Sequence, residues 1–151
     1  MKTVAIILAR GGSKGIPQKN IIDFCGKPLL AWTIEHCRNS CIDSVYVSSD
    51  SDIILEVGEE YGAASIKRTE GISGDTATSE SGWLHALDII EENTTCLDWI
   101  LAPQVTSPLR STDDIRNGLE IAKSGNFDSL FSVVLLKTCF FGKRLPENWT
   151  V

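Results

Sequence analysis

Residues 3–8 are a short run of apolar and β-branched side chains that ends at the cluster Arg10-Gly11-Gly12. A run this brief, closed by glycine, reads as a buried strand of a parallel sheet. That one feature constrains the fold, because a strand buried on both faces requires layers on either side of its sheet.

Strand and helix patterns then alternate. A loop over 9–27 leads to Pro28, which a first helical turn tolerates, and to Leu30, Ile34 and Cys37 at helical spacing. Residues 44–48 form a second strand ending in Ser48-Ser49-Asp50. Asp50 or Ser51 is placed to cap a helix carrying Ile53, Ile54, Val57 and Tyr61, which stops at Gly62. A weaker extended stretch over 64–67 precedes a turn-rich segment, 68–78. Ser79 or Ser81 opens the next helix, with Trp83, Leu84, Leu87 and Ile90 on one face. Residues 97–102 form a third core strand. Thr112 caps a helix over 113–123, and 129–135 form a fourth core strand. Trp32, Trp83 and Trp99 sit within apolar patterns and are expected in the core. The alternation predicts one α/β domain over 1–151 with a mainly parallel sheet.

In such sheets ligands bind beyond the carboxyl ends of the strands. The three unusual loops, 10–20, 68–79 and 104–110, all follow strands on that edge. The first places three cations and three glycines directly after a strand. Glycines let a backbone approach a triphosphate and aim N–H groups at it, while Arg10, Lys14 and Lys19 neutralise phosphate oxygens and a leaving pyrophosphate. The spacing GxxxxGK[ST] of a P-loop is absent, as is the dinucleotide fingerprint GxGxxG. The residues alone therefore point to a nucleotide or sugar-phosphate site.

Charge makes that concentration of cations informative. The chain carries 14 basic and 20 acidic residues, a net of −6, which argues against a general nucleic-acid binder. No apolar stretch approaches the roughly 18–20 residues of a membrane span. Five cysteines, an odd number without a CxxC pair, read as reduced thiols of a cytoplasmic protein.

The run from Leu8 to Asn20 closely resembles the signature loop of the acylneuraminate cytidylyltransferases, also called CMP-sialic acid synthetases. Three further landmarks follow in that family's order. Val47-Ser48-Ser49-Asp50 looks like its second strand end. Arg68 with Gly74-Asp75-Thr76-Ala77-Thr78-Ser79 looks like its second nucleotide loop. Gln104-Val105-Thr106-Ser107-Pro108-Leu109-Arg110 looks like its substrate-side loop, with Val105 where proline is usual.

The resemblance implies a three-layer α/β/α, Rossmann-like nucleotide-diphospho-sugar transferase core, truncated at the C-terminus. It implies CTP and an acidic nine-carbon ketosugar as ligands, and a homodimer. By position, Arg10, Lys14 and Lys19 would hold the CTP phosphates and act as the catalytic cations, within a loop that also offers Ala9, Gly11 and Ser13. Asn20 would lie near the ribose and phosphates, and Arg68, Asp75, Ala77 and Ser79 would line the nucleotide pocket. Gln104, Thr106 and Ser107 would face the sugar. Blander roles are weighed beside these: Asn20 and Asp75 as turn residues, Asp50 as a helix cap, and Arg110 paired with Asp113 or Asp114.

In this family the anomeric hydroxyl of a sialic-acid-type sugar attacks the α-phosphate of CTP and pyrophosphate leaves. Magnesium is expected, with its aspartate ligands beyond residue 151 and none within the chain, so the isolated chain is expected to be weak or inactive. Alternative acceptors are legionaminic acid, pseudaminic acid or Kdo. A sugar-1-phosphate nucleotidyltransferase is disfavoured, since Gly12-Ser13-Lys14 does not match its first loop. A catalytically inactive nucleotide-binding or assembly module is the reading of another class.

Overall fold

The computed structural model describes residues 1–13, 15–69, 78–93, 97–125, 127–130 and 132. Strand β1 (Thr3–Leu8) is central. It pairs in parallel with β4 (Ser44–Ser49), Leu8 opposite Ser48, and with β6 (Trp99–Leu101), Ala5 opposite Leu101. Outside β4 lies β5 (Ala64–Lys67), also parallel, giving the order β5-β4-β1-β6. The chain thus moves outward from β1 on one side and returns to the other. The reversal between β1 and β6 is a topological switch point, where such sheets open a crevice.

Period-2 alternation along β1 decides which layer each side chain meets. Ala5, Ile7 and Ala9 pack with Leu30 and Ile34 of α1 (Leu29–Arg38), Ile54 of α2 (Asp52–Glu60), and Ile115 and Leu119 of α4 (Thr112–Ser124). Val4 and Ile6 point the other way, onto Ala86 and Ile90 of α3 (Ser79–Glu92). The three layers are present. Ile6 and Ile7 are fully buried on opposite faces, each side chain contributing about 1.5–3 kcal/mol.

Several local expectations change. Ser51 is the N-cap of α2 but makes no side-chain cap bond, and Asp50 points elsewhere. Thr78 caps α3, its hydroxyl accepting from Ser81 N at 3.3 Å. Ser111 caps α4 in a reciprocal capping box with Asp114. The buried face of α3 runs through Gly82, Ala86 and Ile90, with Trp83 and Leu87 beside it, whereas Leu84 is exposed. That face follows an i, i+4 row, and the small residues lie deepest because the helix sits close on the sheet.

Within 9–27, expected to be loop, a two-stranded hairpin forms from β2 (Asp23–Phe24) and β3 (Lys27–Pro28). Its central residues Cys25 and Gly26 both have positive φ, 54° and 89°, which is type I′ geometry. Trp32 leaves the core to serve this hairpin: its Nε1 donates to Phe24 O at 2.8 Å, and Lys27 Nζ stands 3.7 Å above its ring. Trp83 and Trp99 are half-buried. Of the strand expected over 129–135, residues 129, 130 and 132 are not in a strand and the remainder lies outside the described residues.

Candidate functional site

The C-terminal edge of the sheet is built by main-chain continuity before any side chain acts. Beyond β1, buried Ala9 donates its N–H to Ser48 O at 3.0 Å, so the loop leaves the sheet from a fixed point. The next anchor is Gly11, whose N–H donates to Asp50 Oδ1 at 2.9 Å. A Cβ at position 11 would stand 3.0 Å from Ser51 Cβ, so the approach to the β4–α2 junction requires glycine. Among the described residues, nothing lies within 4 Å of a Cβ at Gly12 or Gly15. Packing against the described residues does not demand those two glycines.

The loop then returns on itself. Ser13 N donates to Gly11 O at 3.0 Å, and Gln18 takes a left-handed φ of 49° ahead of a 3-10 turn, Lys19–Ile21. Asn20 is 6% exposed and its Nδ2 donates to Arg10 O at 2.9 Å, tying the two ends of the loop together. The Arg10 side chain is exposed and Lys19 half-buried, so both cations belong to the rim. Lys14, Asp75 and Ala77 lie outside the described residues.

Arg68 follows β5 and is held by its N–H to Ser49 O at 2.8 Å. Its side chain is only 7% exposed. A Cβ at Gly82 would stand 3.2 Å from Arg68 Nη1 and 3.1 Å from Leu8 Cδ1, so the bare backbone of α3 leaves the guanidinium its place. Arg68 Nε and Nη2 are buried and have no hydrogen-bond partner among the described residues. Burial pushes its pKa down, the nearby Asp50 carboxylate opposes that, and Arg10 adds to it. A buried cation whose Nε and Nη2 meet no acceptor among the described residues calls for one, preferably anionic or carbonyl-rich. Ser79, the first residue of α3, is exposed at the same edge.

On the other side of the switch point, β6 leads into 102–111. Val105 is buried in the core cluster and anchors this segment, leaving Gln104, Thr106 and Ser107 exposed. Gln104 O accepts from Ser107 N and from Arg110 Nη2, each at 3.3 Å. Arg110 therefore folds back on its own loop. The expected ion pair with Asp113 or Asp114 is not made, and Arg110 only acts on Asp114 through space: Arg116 takes Asp113 at 3.0 Å, and Asp114 Oδ2 accepts from Ser111 N at 2.8 Å. The two loops thus flank the switch point, with the cations of the first and the exposed polar groups of the second.

Sequence reasoning missed Asp50 and Gly82. Asp50 is a natural helix-cap residue, so its local pattern masks a partner 39 positions away. Gly82 carried a usable signal, a glycine inside an otherwise helical pattern, which often marks close packing.

A cytidylyltransferase family profile matches residues 4–138. The pseudaminic acid cytidylyltransferase of Campylobacter jejuni is 43% identical over 122 residues, covering 80% of this chain and 53% of that protein. The N-acylneuraminate cytidylyltransferase of Oncorhynchus mykiss is 40% identical over 134 residues, 86% of this chain and 29% of the relative. The chain thus spans about half, or less, of the curated relatives it matches. Among solved structures, a CMP:2-keto-3-deoxy-manno-octonic acid synthetase complexed with CTP superposes with a TM-score of 0.67 at 21% identity, covering 82% of this chain and 48% of that one. A cytidylyltransferase from Leptospira borgpetersenii gives 0.67 at 19% identity over 83% and 50%. At these identities the likeness shows the shared nucleotidyltransferase fold.

Proposed function

The chain belongs to the cytidylyltransferase family, and on that premise we propose that it forms the CTP-holding part of an enzyme that transfers CMP to a sialic-acid-type sugar. The reaction joins the anomeric oxygen of the sugar acid to the α-phosphorus of CTP. The bond to the bridging oxygen of the β-phosphate breaks, pyrophosphate departs, and the hydroxyl proton is released. Such transfer depends on positioning and charge neutralisation more than on covalent catalysis. In this reading Arg10, Lys14 and Lys19 hold the phosphates, within a loop formed by Ala9, Gly11, Ser13 and Asn20. Arg68, Asp75, Ala77 and Ser79 line the nucleoside pocket, and Gln104, Thr106 and Ser107 meet the sugar. The observation that carries it is Arg68, buried beside the phosphate loop with two donors that no described residue satisfies.

Among the described residues no group of three or more His, Cys, Asp or Glu side chains converges to hold a metal ion. Pseudaminic acid is the second acceptor to weigh, favoured by the 43% identical relative. Cytoplasmic residence rests on the free thiols of Cys25, Cys37 and Cys41. A homodimer and a single domain over 1–151 complete the reading.

Thermal denaturation with each nucleoside triphosphate tests the proposal. A ligand at about 100 times its dissociation constant stabilises the folded state by about 2.7 kcal/mol. CTP is expected to raise the midpoint more than ATP, GTP or UTP. Equal shifts with all four, or none, would remove the cytidine reading.

A further inference from the structure

We propose that Asp50 is a positioning residue of the nucleotide site: its carboxylate fixes the Gly11 amide, and with it the first turn of the phosphate loop. This rests on the CTP reading above. Position 50 ends β4 and precedes α2, where an aspartate ordinarily caps the helix. It does not cap here. Ser51 occupies the N-cap position without a side-chain bond, and Asp50 Oδ1 instead accepts from Gly11 N at 2.9 Å.

Two further facts give that contact its meaning. Gly11 is pressed against the same junction, a Cβ there falling 3.0 Å from Ser51 Cβ and 3.9 Å from Asp50 Oδ1. The junction thus sets both the distance and the orientation of the loop at its exit from β1. Asp50 and Arg10 also both act electrostatically on the buried Arg68, the cation toward which an anionic ligand would turn. A carboxylate beside a triphosphate site repels the ligand unless it serves the site in another way. Its acceptor on Gly11 instead holds the main chain of the loop at its exit from β1. The bond is charge-assisted, and it is loss of the acceptor at position 50 that releases the loop.

The test compares Asp50→Asn and Asp50→Ala with the wild-type chain. Titration calorimetry reads CTP and cytidine affinity, and amide exchange reads Gly11. Asparagine retains an acceptor at Oδ1, so Asp50→Asn should keep CTP affinity within about threefold and leave Gly11 protected. Asp50→Ala should weaken CTP by about tenfold, the factor that corresponds to 1.4 kcal/mol. It should also speed Gly11 exchange while changing cytidine affinity far less, because cytidine lacks the phosphates. If alanine prevents folding, Asp50→Ser supplies a short side chain for the same comparison. Wild-type CTP affinity in Asp50→Ala, or equal losses for CTP and cytidine, would overturn the positioning role alone. Failure of the wild-type chain to bind CTP would overturn the nucleotide reading and this role with it.

Discussion

Asn20 reaches back across its own loop and donates its side-chain N–H to the Arg10 carbonyl at 2.9 Å. The two ends of the phosphate loop are therefore held by one buried carboxamide. Asn20→Ala leaves the Arg10 carbonyl without that donor in a part-buried setting. It should lower unfolding stability by about 1–2 kcal/mol, with denaturant midpoints as the readout. CTP affinity should fall in parallel, since Arg10 and Lys19 then lose their common frame. Unchanged stability would show that the loop needs no tie.

Arg68 sets stability against binding. A buried arginine without described partners for Nε and Nη2 is costly in the empty protein, so Arg68→Met should leave ligand-free stability unchanged or raise it. The same substitution should weaken CTP binding by about 1.5–3 kcal/mol. Denaturation and calorimetric titration of one sample measure both. A large loss of stability with CTP affinity intact would reverse this assignment.

Gly62 ends α2 in the left-handed region, φ 85°, after Tyr61. A Cβ there would also stand 2.5 Å from Arg38 Nη1, whose guanidinium donates to Tyr61 O at 3.0 Å. Gly62→Ala should cost about 1–2 kcal/mol from backbone strain. Arg38→Ala in the same background should not restore it, because a flexible side chain moves aside while φ does not.

Cys37 lies in the α1 core, where burial pushes its thiol up to about 12 against a weaker opposing pull from Arg110. The folded thiol keeps its proton to that value, whereas the unfolded one releases it near its ordinary value of 9.0. Above pH 9 the unfolded chain binds fewer protons, so stability falls as pH rises from about 9 toward 12, by at most about 1.4 kcal/mol per pH unit. Iodoacetamide at pH 8 should label exposed Cys25 and Cys41 and spare Cys37 until denaturant is added. On the acid side, burial holds His36 below its usual value, with Arg110 and Lys27 adding to the effect and Glu35 opposing it. Stability should therefore also decline as pH falls below 6.5.

What the sequence disclosed and what it withheld divide by range. The β1 strand and the 10–20 loop were legible because a buried parallel strand and a glycine-rich turn are written in adjacent residues. The hairpin at Asp23–Pro28 was not, since Cys25 occupies a position where Asn or Asp would have signalled a type I′ turn. The exposed face of α3 was misread at Leu84 because hydrophobicity was weighed and the small residues Gly82 and Ala86 were not. Val105 was noted only as a departure from proline, while its burial is what anchors the second loop. Asp50 shows the limit most plainly: its partner is set by the parallel pairing of β1 with β4, which local pattern does not report.

The location of the nucleotide is the claim on which the rest depends, and a nitrogen-15 NMR titration with CTP tests it directly. The amides of Gly11, Gly12 and Ser13 and the side-chain Nε–H of Arg68 should shift together and saturate at one concentration. The amides of Ser44 and Gly62, at the opposite edge of the sheet, should stay in place. Shifts confined to that opposite edge, or an Arg68 Nε–H unmoved at saturation, would contradict a CTP site at the phosphate loop.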